Sequence, residues 1–125
     1  MASVTNKTIV VVDDSEICLE VARLALERRG HRVLAFDSPF GLTKVMNERR
    51  PDLVLLDVNM PALSGDKVAA IVLKYRRYRC PVVFLSDRPS VELAALTASC
   101  GANGHINKTD DLDALANAVE RYLTP

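Results

Sequence analysis

The sequence predicts an α/β domain with a doubly wound, five-stranded parallel sheet, and three observations support this fold class. Short runs of branched apolar residues, typical of strands buried on both faces, alternate with stretches whose apolar residues recur at helical spacing. The runs Ile9–Val12 and Leu53–Leu56 both end directly on aspartate. The chain has 125 residues, about half of them apolar, which is enough for one core and one domain.

The first strand and helix are marked at both ends. Ile9–Val12 predicts the strand. The helix is expected over Ser15–Arg29, where Asp14 or Ser15 can cap the free amides and Gly30 can end the helix. One apolar stripe on this helix predicts that it packs against the sheet.

The second strand, the second helix and the third strand follow in the same order. His31–Phe36 predicts the second strand, and Ser38-Pro39 is expected to open the second helix. Pro51 then separates this helix from the third strand, Leu53–Leu56. A strand–helix–strand unit of this kind favours a parallel sheet with a right-handed crossover.

Proline, glycine and acidic residues mark the element ends in the rest of the chain. In order, the expected elements are a third helix after Gly65, a fourth strand Val82–Leu85 after Pro81, a fourth helix Ser90–Ala98, a turn over Gly101–Gly104, a short fifth strand around His105–Ile106, and a last helix opened by Asp110 or Asp111. The alternation is therefore complete, with five strands and five helices.

Bulk composition limits the functions that this chain can have. Sixteen basic and sixteen acidic residues leave no global field, so no direct binding to nucleic acid is expected. A polar amino terminus and the lack of a run of roughly twenty apolar residues predict no membrane insertion and a cytoplasmic location. Cys18, Cys80 and Cys100, an odd number at wide spacing, predict reduced and mostly structural thiols.

Polar side chains follow every predicted strand. In chain order they are Asp13 and Asp14, Asp37, Asp57 and Asn59, Ser86 and Asp87, and Lys108. The carboxyl ends of parallel strands meet at one edge, where open α/β sheets bind ligands, so three or four carboxylates, a hydroxyl and an ammonium are expected to converge. Neighbouring carboxylates repel one another unless a cation compensates, which predicts a divalent metal in addition to Lys108.

The donor set at this edge predicts both the metal and the chemistry. Oxygen ligands without histidine or thiolate favour Mg²⁺, which takes one or two carboxylates and keeps positions for phosphoryl oxygens. Asp57 then has two possible roles, as a metal ligand and as a nucleophile that attacks phosphorus. Ser86 can donate a hydrogen bond to the product phosphate.

Four motifs follow one another along the chain: Val12-Asp13-Asp14, Leu55-Leu56-Asp57-Val58-Asn59-Met60-Pro61 with Gly65, Leu85-Ser86, and Ile106-Asn107-Lys108. Taken together, these motifs resemble the receiver domain of two-component response regulators, and most of all the single-domain receivers of the chemotaxis type. The similarity extends over about residues 8–123, so residues 1–125 are expected to form a single receiver domain. It implies a flavodoxin-like (βα)₅ fold with strand order 2-1-3-4-5.

The resemblance also implies a role for individual residues and for partners. The roles are Asp57 as phosphoacceptor and metal ligand, Asp14 as a direct Mg²⁺ ligand, Asp13 as a water-mediated one, the backbone carbonyl of Asn59 as a further ligand, Lys108 as the phosphate-pairing lysine, and Ser86 with His105 as the switch. A sensor histidine kinase or phosphotransfer protein would supply the phosphoryl group. A downstream protein would bind the face formed by the fourth helix, fifth strand and fifth helix. The domain would act as a phosphoacceptor switch and not as an enzyme with catalytic turnover.

Two positions depart from the family pattern near the site. Thr109 replaces the proline that usually follows the lysine, so the Lys108–Thr109 bond is expected either to stay cis or to be trans with the lysine on a shifted backbone. Asp87 replaces a small residue and is expected to face solvent or to pair with a base such as Arg88. Both changes affect whether the site can bind a phosphoryl group and whether that binding can change the contact with a partner protein.

Several alternatives stay open from the sequence. A phosphatase using Asp57 as nucleophile usually has a second acid two residues later, where this chain has Asn59. A phosphorylation-independent interaction module is the main alternative, supported by Thr109 and Asp87. A flavin-binding domain is less well supported, because the strand ends lack a hydroxyl-rich phosphate loop. The chain is expected to be a stand-alone receiver or the receiver end of a longer protein.

Overall fold

A parallel sheet with helices on both faces forms the described part of the protein. The structure, a computed structural model, describes residues 5–61 and 63–123. The elements are β1 (Thr8–Val12), α1 (Glu16–Glu27), β2 (Arg32–Phe36), α2 (Thr43–Arg49), β3 (Leu53–Leu56), α3 (Gly65–Arg76), β4 (Val82–Ser86), α4 (Ser90–Cys100), β5 (Gly104–Asn107) and α5 (Leu112–Arg121). The strands pair in the order β2-β1-β3-β4-β5, and every pairing is parallel. The predicted fold class and strand order are confirmed.

The central strands are buried on both faces, because helices cover the sheet from two sides. Alternate residues of β1 point to opposite faces, so Val10 and Val12 belong to one core layer and Ile9 and Val11 to the other. The first layer includes side chains of α2, α3 and α4, and the second includes side chains of α1 and α5. A continuous run of apolar residues is therefore required in β1, β3 and β4.

Side chains cap three of the helices at their amino ends. Ser15 Oγ accepts a hydrogen bond from the Cys18 amide, and Asp111 Oδ1 accepts one from the Ala114 amide. These contacts settle the two alternatives left open by the sequence, in favour of Ser15 and Asp111. Ser64 caps α3 in the same way, and the sequence analysis did not identify it. None of the described helices is long and apolar enough to cross a bilayer.

The predicted start of the second helix is wrong by several residues. It was expected at Ser38-Pro39, whereas α2 begins at Thr43. The Ser38 hydroxyl accepts a hydrogen bond from the Phe40 amide, and Gly41 has a φ of 80°, which is outside the helical region. A local turn therefore uses the proline and serine that were interpreted as a helix start.

The three cysteines of the described chain are free thiols, and their environments differ. Cys80 is buried, whereas Cys18 and Cys100 are half-buried. Burial, with a smaller contribution from the charge of Asp52, raises the pKa of the Cys80 thiol to about 12. Because the thiolate is the reactive form, Cys80 is protected at neutral pH.

We expect Cys80 to react much more slowly than the other two thiols with a thiol-specific disulfide reagent at pH 8. A pKa near 12 leaves only about one thiol in ten thousand ionised at that pH. Mass spectrometry of the labelled native protein should locate the label on Cys18 and Cys100, and unfolding in urea should expose all three. Labelling of native Cys80 at the rate seen in urea would contradict the assignment.

Candidate functional site

The carboxyl ends of β1, β3 and β5 bring an acidic cluster and a lysine together. Asp13 follows β1, Asp57 follows β3, and Lys108 follows β5. Asp13, Asp14 and Asp57 each place a carboxylate oxygen within 4.8 Å of the others. The predicted convergence at this edge of the sheet is therefore present, with three carboxylates. Asp37, the fourth candidate, is exposed and is not part of this group.

Asp57 is a buried carboxylate whose two oxygens have different neighbours. Oδ1 accepts a hydrogen bond from the Asn59 amide at 2.9 Å, and Oδ2 lies 3.3 Å from Lys108 Nζ. Burial raises the pKa of Asp57, and the charge of Asp13 acts in the same direction. The Asn59 amide and the Lys108 ammonium oppose this rise but do not cancel it. A further positive charge near Asp57 would favour its ionised, nucleophilic form.

Lys108 bridges the two buried carboxylates. Its Nζ lies 2.7 Å from Asp13 Oδ2 and 3.3 Å from Asp57 Oδ2. Burial favours the neutral amine, but the hydrogen bond and charge of Asp13, together with the charge of Asp57, outweigh it and raise the pKa of Lys108. The lysine is therefore a fixed positive charge beside Asp57.

The residues present fit a hard divalent cation. Asp13 Oδ1 accepts a hydrogen bond from the Ser15 amide, whereas buried Oδ2 contacts the Lys108 ammonium and has no further polar partner among the described residues. Three carboxylates face one ammonium, so the cluster keeps an excess of negative charge. An all-oxygen donor set with uncompensated charge is what Mg²⁺ binds. The acidic pocket could therefore bind a metal.

The Lys108–Thr109 bond, which the sequence left open, is trans, as are the other described peptide bonds. The Lys108 amide donates to the Ser86 carbonyl at 2.9 Å, which extends the pairing of β4 with β5 by one residue. The lysine side chain starts from this fixed backbone position and reaches both carboxylates. Replacement of the family proline by Thr109 therefore leaves the lysine at the site.

Of the two orientations expected for Asp87, the structure shows the solvent-facing one and not the pairing with Arg88. Asp87 is exposed, as expected, but its Oδ1 accepts a hydrogen bond from Asn59 Nδ2 at 3.0 Å. The Arg88 guanidinium crosses to the loop after β3 and donates to the Val58 carbonyl at 3.1 Å. The two side chains point to the same neighbouring loop and not to each other.

The predicted switch residues lie in neighbouring strands, Ser86 as the last residue of β4 and His105 as the second residue of β5. Ser86 is buried, and its Oγ accepts a hydrogen bond from the Arg88 amide at 3.2 Å. His105 is half-buried in β5, and its carbonyl accepts a hydrogen bond from the Tyr122 hydroxyl at 3.4 Å. Their assignment as switch residues stays a prediction.

Asn107 is a residue whose function the sequence analysis did not identify. Its side-chain amide donates to the Arg88 carbonyl at 3.0 Å, and its Oδ1 accepts from the Ser90 hydroxyl at 2.8 Å. Asn107 therefore ties the end of β5 to the start of α4. Its position directly before Lys108 at a strand end was the available signal.

Known proteins with similar sequences share one domain with this chain. The family model for the response regulator receiver domain matches residues 9–120. The transcriptional regulatory protein CseB of Streptomyces coelicolor is 35% identical over 121 residues, which cover 92% of this chain and 48% of that protein. The alkaline phosphatase synthesis transcriptional regulatory protein PhoP of Bacillus subtilis is 34% identical over 104 residues, covering 82% of this chain and 42% of that protein.

Solved structures of receiver proteins share the fold of this chain. A response regulator from Thermotoga maritima superposes with a TM-score of 0.81 at 25% identity, covering 96% of this chain and 99% of that one. The chemotaxis response regulator CheY4 of Vibrio cholerae has a TM-score of 0.79 at 23% identity, covering 95% and 100%. The chain spans between 17% and 51% of the length of the curated relatives it matches. On its sequence and its fold, this chain belongs to the response regulator receiver domain family.

Proposed function

We propose that Asp57 accepts a phosphoryl group in a Mg²⁺-dependent step and that the resulting acyl phosphate switches partner binding. The observation that carries the proposal is a buried carboxylate at a strand end, 3.3 Å from a fixed ammonium and grouped with two further carboxylates. Apolar residues at these strand ends would often stabilise the fold as well as a buried ion pair does, so stability alone does not explain this combination. It suits a reaction in which negative charge builds up on transferred oxygens.

The transfer forms a bond between a carboxylate oxygen of Asp57 and phosphorus, while the bond from phosphorus to the donor atom breaks. The leaving group keeps the bonding electron pair and takes a proton from solvent if it needs one. Lys108 stabilises charge on the phosphoryl oxygens, and the Asn59 amide holds one Asp57 oxygen in place. Bound Mg²⁺, held by Asp14, Asp57, the Asn59 carbonyl and, through water, Asp13, would supply further charge neutralisation.

Partners on both sides of this reaction are part of the proposal. A sensor histidine kinase or a phosphotransfer protein supplies the phosphoryl group, and a cytoplasmic downstream protein reads the phosphorylated state. Part of the CAI-1 autoinducer sensor kinase/phosphatase CqsS of Vibrio cholerae is 27% identical to this chain. Ser86 and His105 shift the population of the active state of the α4-β5-α5 face. The only catalytic activities that we expect from this domain are its own phosphorylation and the hydrolysis of its acyl phosphate.

We expect incubation with acetyl phosphate and Mg²⁺ to add the mass of one phosphoryl group to the intact protein. An Asp57→Asn variant should gain none, since an amide is not a nucleophile at neutral pH. Asp66→Asn changes an exposed aspartate in the first turn of α3 and should be phosphorylated like the wild type. Chelation of Mg²⁺ should reduce the yield to background.

The same experiment tests the main alternative. If saturating donor gives no adduct and Asp57→Ala leaves partner binding unchanged, the domain is a phosphorylation-independent interaction module. An adduct that persists in Asp57→Asn would identify a different phosphoacceptor and contradict the proposed role of Asp57. The trans bond at Thr109 weakens one support for this alternative, because Lys108 still reaches Asp57.

A further inference from the structure

Two hydrogen bonds join the loop that follows β3 to the loop that follows β4. The Asn59 side-chain amide donates to Asp87 Oδ1 at 3.0 Å, and the Arg88 guanidinium donates to the Val58 carbonyl at 3.1 Å. Because Asp57 directly precedes Val58, both bonds fix the segment that carries the proposed phosphoacceptor. Asp87 is therefore connected to the site through its hydrogen bond with Asn59.

Asn59 connects Asp87 to Asp57. Its backbone amide donates to Asp57 Oδ1 at 2.9 Å, while its side-chain amide donates to Asp87. Asp87 also lines, together with Lys108, a cavity of about 320 Å³. This cavity is lined by residues of α1 and α5 and not by the carboxylates of the site, so the contact of Asp87 with the site runs through Asn59.

An anion at this position opposes a phosphoryl group on Asp57 in two ways. The phosphoryl group adds negative charge, which the Asp87 carboxylate repels. Its oxygens are also strong hydrogen-bond acceptors, and the side-chain amide of Asn59, two residues after Asp57, already donates to Asp87. A carboxylate and a phosphoryl group would thus compete for the same donor.

We propose that Asp87 is a positioning residue that lowers the affinity of the site for a phosphoryl group, by holding the Asn59 amide and by its negative charge. The inference rests on the proposed function of Asp57 and deepens it. Asp87 keeps the phosphorylated population low until the phosphodonor is abundant. The side chain at position 87 carries the charge and also accepts the hydrogen bond.

Beryllofluoride, an anion that binds carboxylates as a phosphoryl group does, is the probe for this proposal. With Mg²⁺ present, its affinity is measured from the rise in thermal midpoint as its concentration increases. We expect Asp87→Ala to bind it roughly three- to tenfold more tightly than the wild type. Asp87→Asn keeps an acceptor oxygen for Asn59 and loses only the charge, so its gain should be smaller.

Two further variants separate this contact from a general charge effect. Asp110 is exposed and lines the same cavity, so Asp110→Asn is the matched control and should bind like the wild type. In an Asn59→Ala background the gain from Asp87→Ala should shrink, because the amide that both acceptors share is absent.

The proposal is overturned if Asp87→Ala binds beryllofluoride no more tightly than the wild type, or if Asp110→Asn tightens binding equally. An undiminished gain in the Asn59→Ala background would also overturn it. Wild-type protein that binds no beryllofluoride with Mg²⁺ would contradict the function proposed for Asp57 itself. The two failures are distinguishable, since only the second removes binding from the wild type.

Discussion

Replacing Lys108 with methionine is expected to lower the free energy of unfolding by about 3 kcal/mol in Mg²⁺-free buffer. The ammonium lies 2.7 Å from Asp13 and 3.3 Å from Asp57, and both carboxylates are buried. Methionine keeps the length of the side chain but removes the charge, so two adjacent carboxylates lose the cation that both contact. Urea unfolding followed by circular dichroism gives the loss as a shift of the midpoint at constant m-value.

Three comparisons make this expectation specific to the carboxylate cluster. Lys44→Met removes an exposed lysine 3.9 Å from Glu48 and should change stability by less than about 0.5 kcal/mol. Adding Asp57→Asn to Lys108→Met should recover much of the loss, since it removes one of the two repelling charges. Mg²⁺ should stabilise Lys108→Met more than the wild type, because the cluster is then more negative. Equal stability of the Lys108 and Lys44 variants would contradict a stabilising role of Lys108 between the two carboxylates.

The position of the site was predictable from the sequence, because parallel strands bring their carboxyl ends together. Val12-Asp13 and Leu56-Asp57 place the two acids one step beyond paired strands, and the register of β1 with β3 pairs Val12 with Leu56. Strand direction alone therefore determines that these carboxylates are neighbours. No side-chain detail was needed for that inference.

Contacts between loops were not predictable in the same way. Asp87 was expected to face solvent or to pair with a base such as Arg88; it is exposed, but its hydrogen-bond donor is Asn59, 28 positions earlier in the chain. Which side chain meets which depends on the separation and direction of two loops, and local patterns carry no such information. The late start of α2 has a similar cause, because the Ser38 hydroxyl bonds within a turn.

The buried side chain of His31, far from the site, makes another contact that local sequence patterns did not predict. The His31 side chain is fully buried, and its Nδ1 accepts a hydrogen bond from the Lys7 amide at 3.3 Å. Its Nε2 lies 2.8 Å from Glu120 Oε2, and the other Glu120 oxygen lies 2.6 Å from Arg29 Nη1. Because Nδ1 is an acceptor here, the ring hydrogen is on Nε2 and is donated to Glu120.

Glu120→Ala is expected to lower the free energy of unfolding by roughly 2 to 3 kcal/mol. The change leaves the buried Nε2–H of His31 without its acceptor and removes the carboxylate that ties α5 to Arg29 at the end of α1. Glu48→Ala is the matched control, since Glu48 is exposed and its partner Lys44 is 3.9 Å away. Chemical denaturation of both variants measures the difference, and an equal loss in the two would contradict the buried contact.

The Glu120 and Lys108 variants together test whether stability and phosphorylation are separable in this fold. Glu120 contacts His31, directly before the amino end of β2, whereas Lys108 follows the carboxyl end of β5. Because the sheet is parallel, the two contacts lie at opposite ends of its strands. Glu120→Ala should therefore lose stability yet accept a phosphoryl group from acetyl phosphate as fully as the wild type at a temperature where it is folded. Lys108→Met should lose both, because its charge is part of the site. Impaired phosphorylation of folded Glu120→Ala would show that the carboxyl edge depends on packing at the opposite edge.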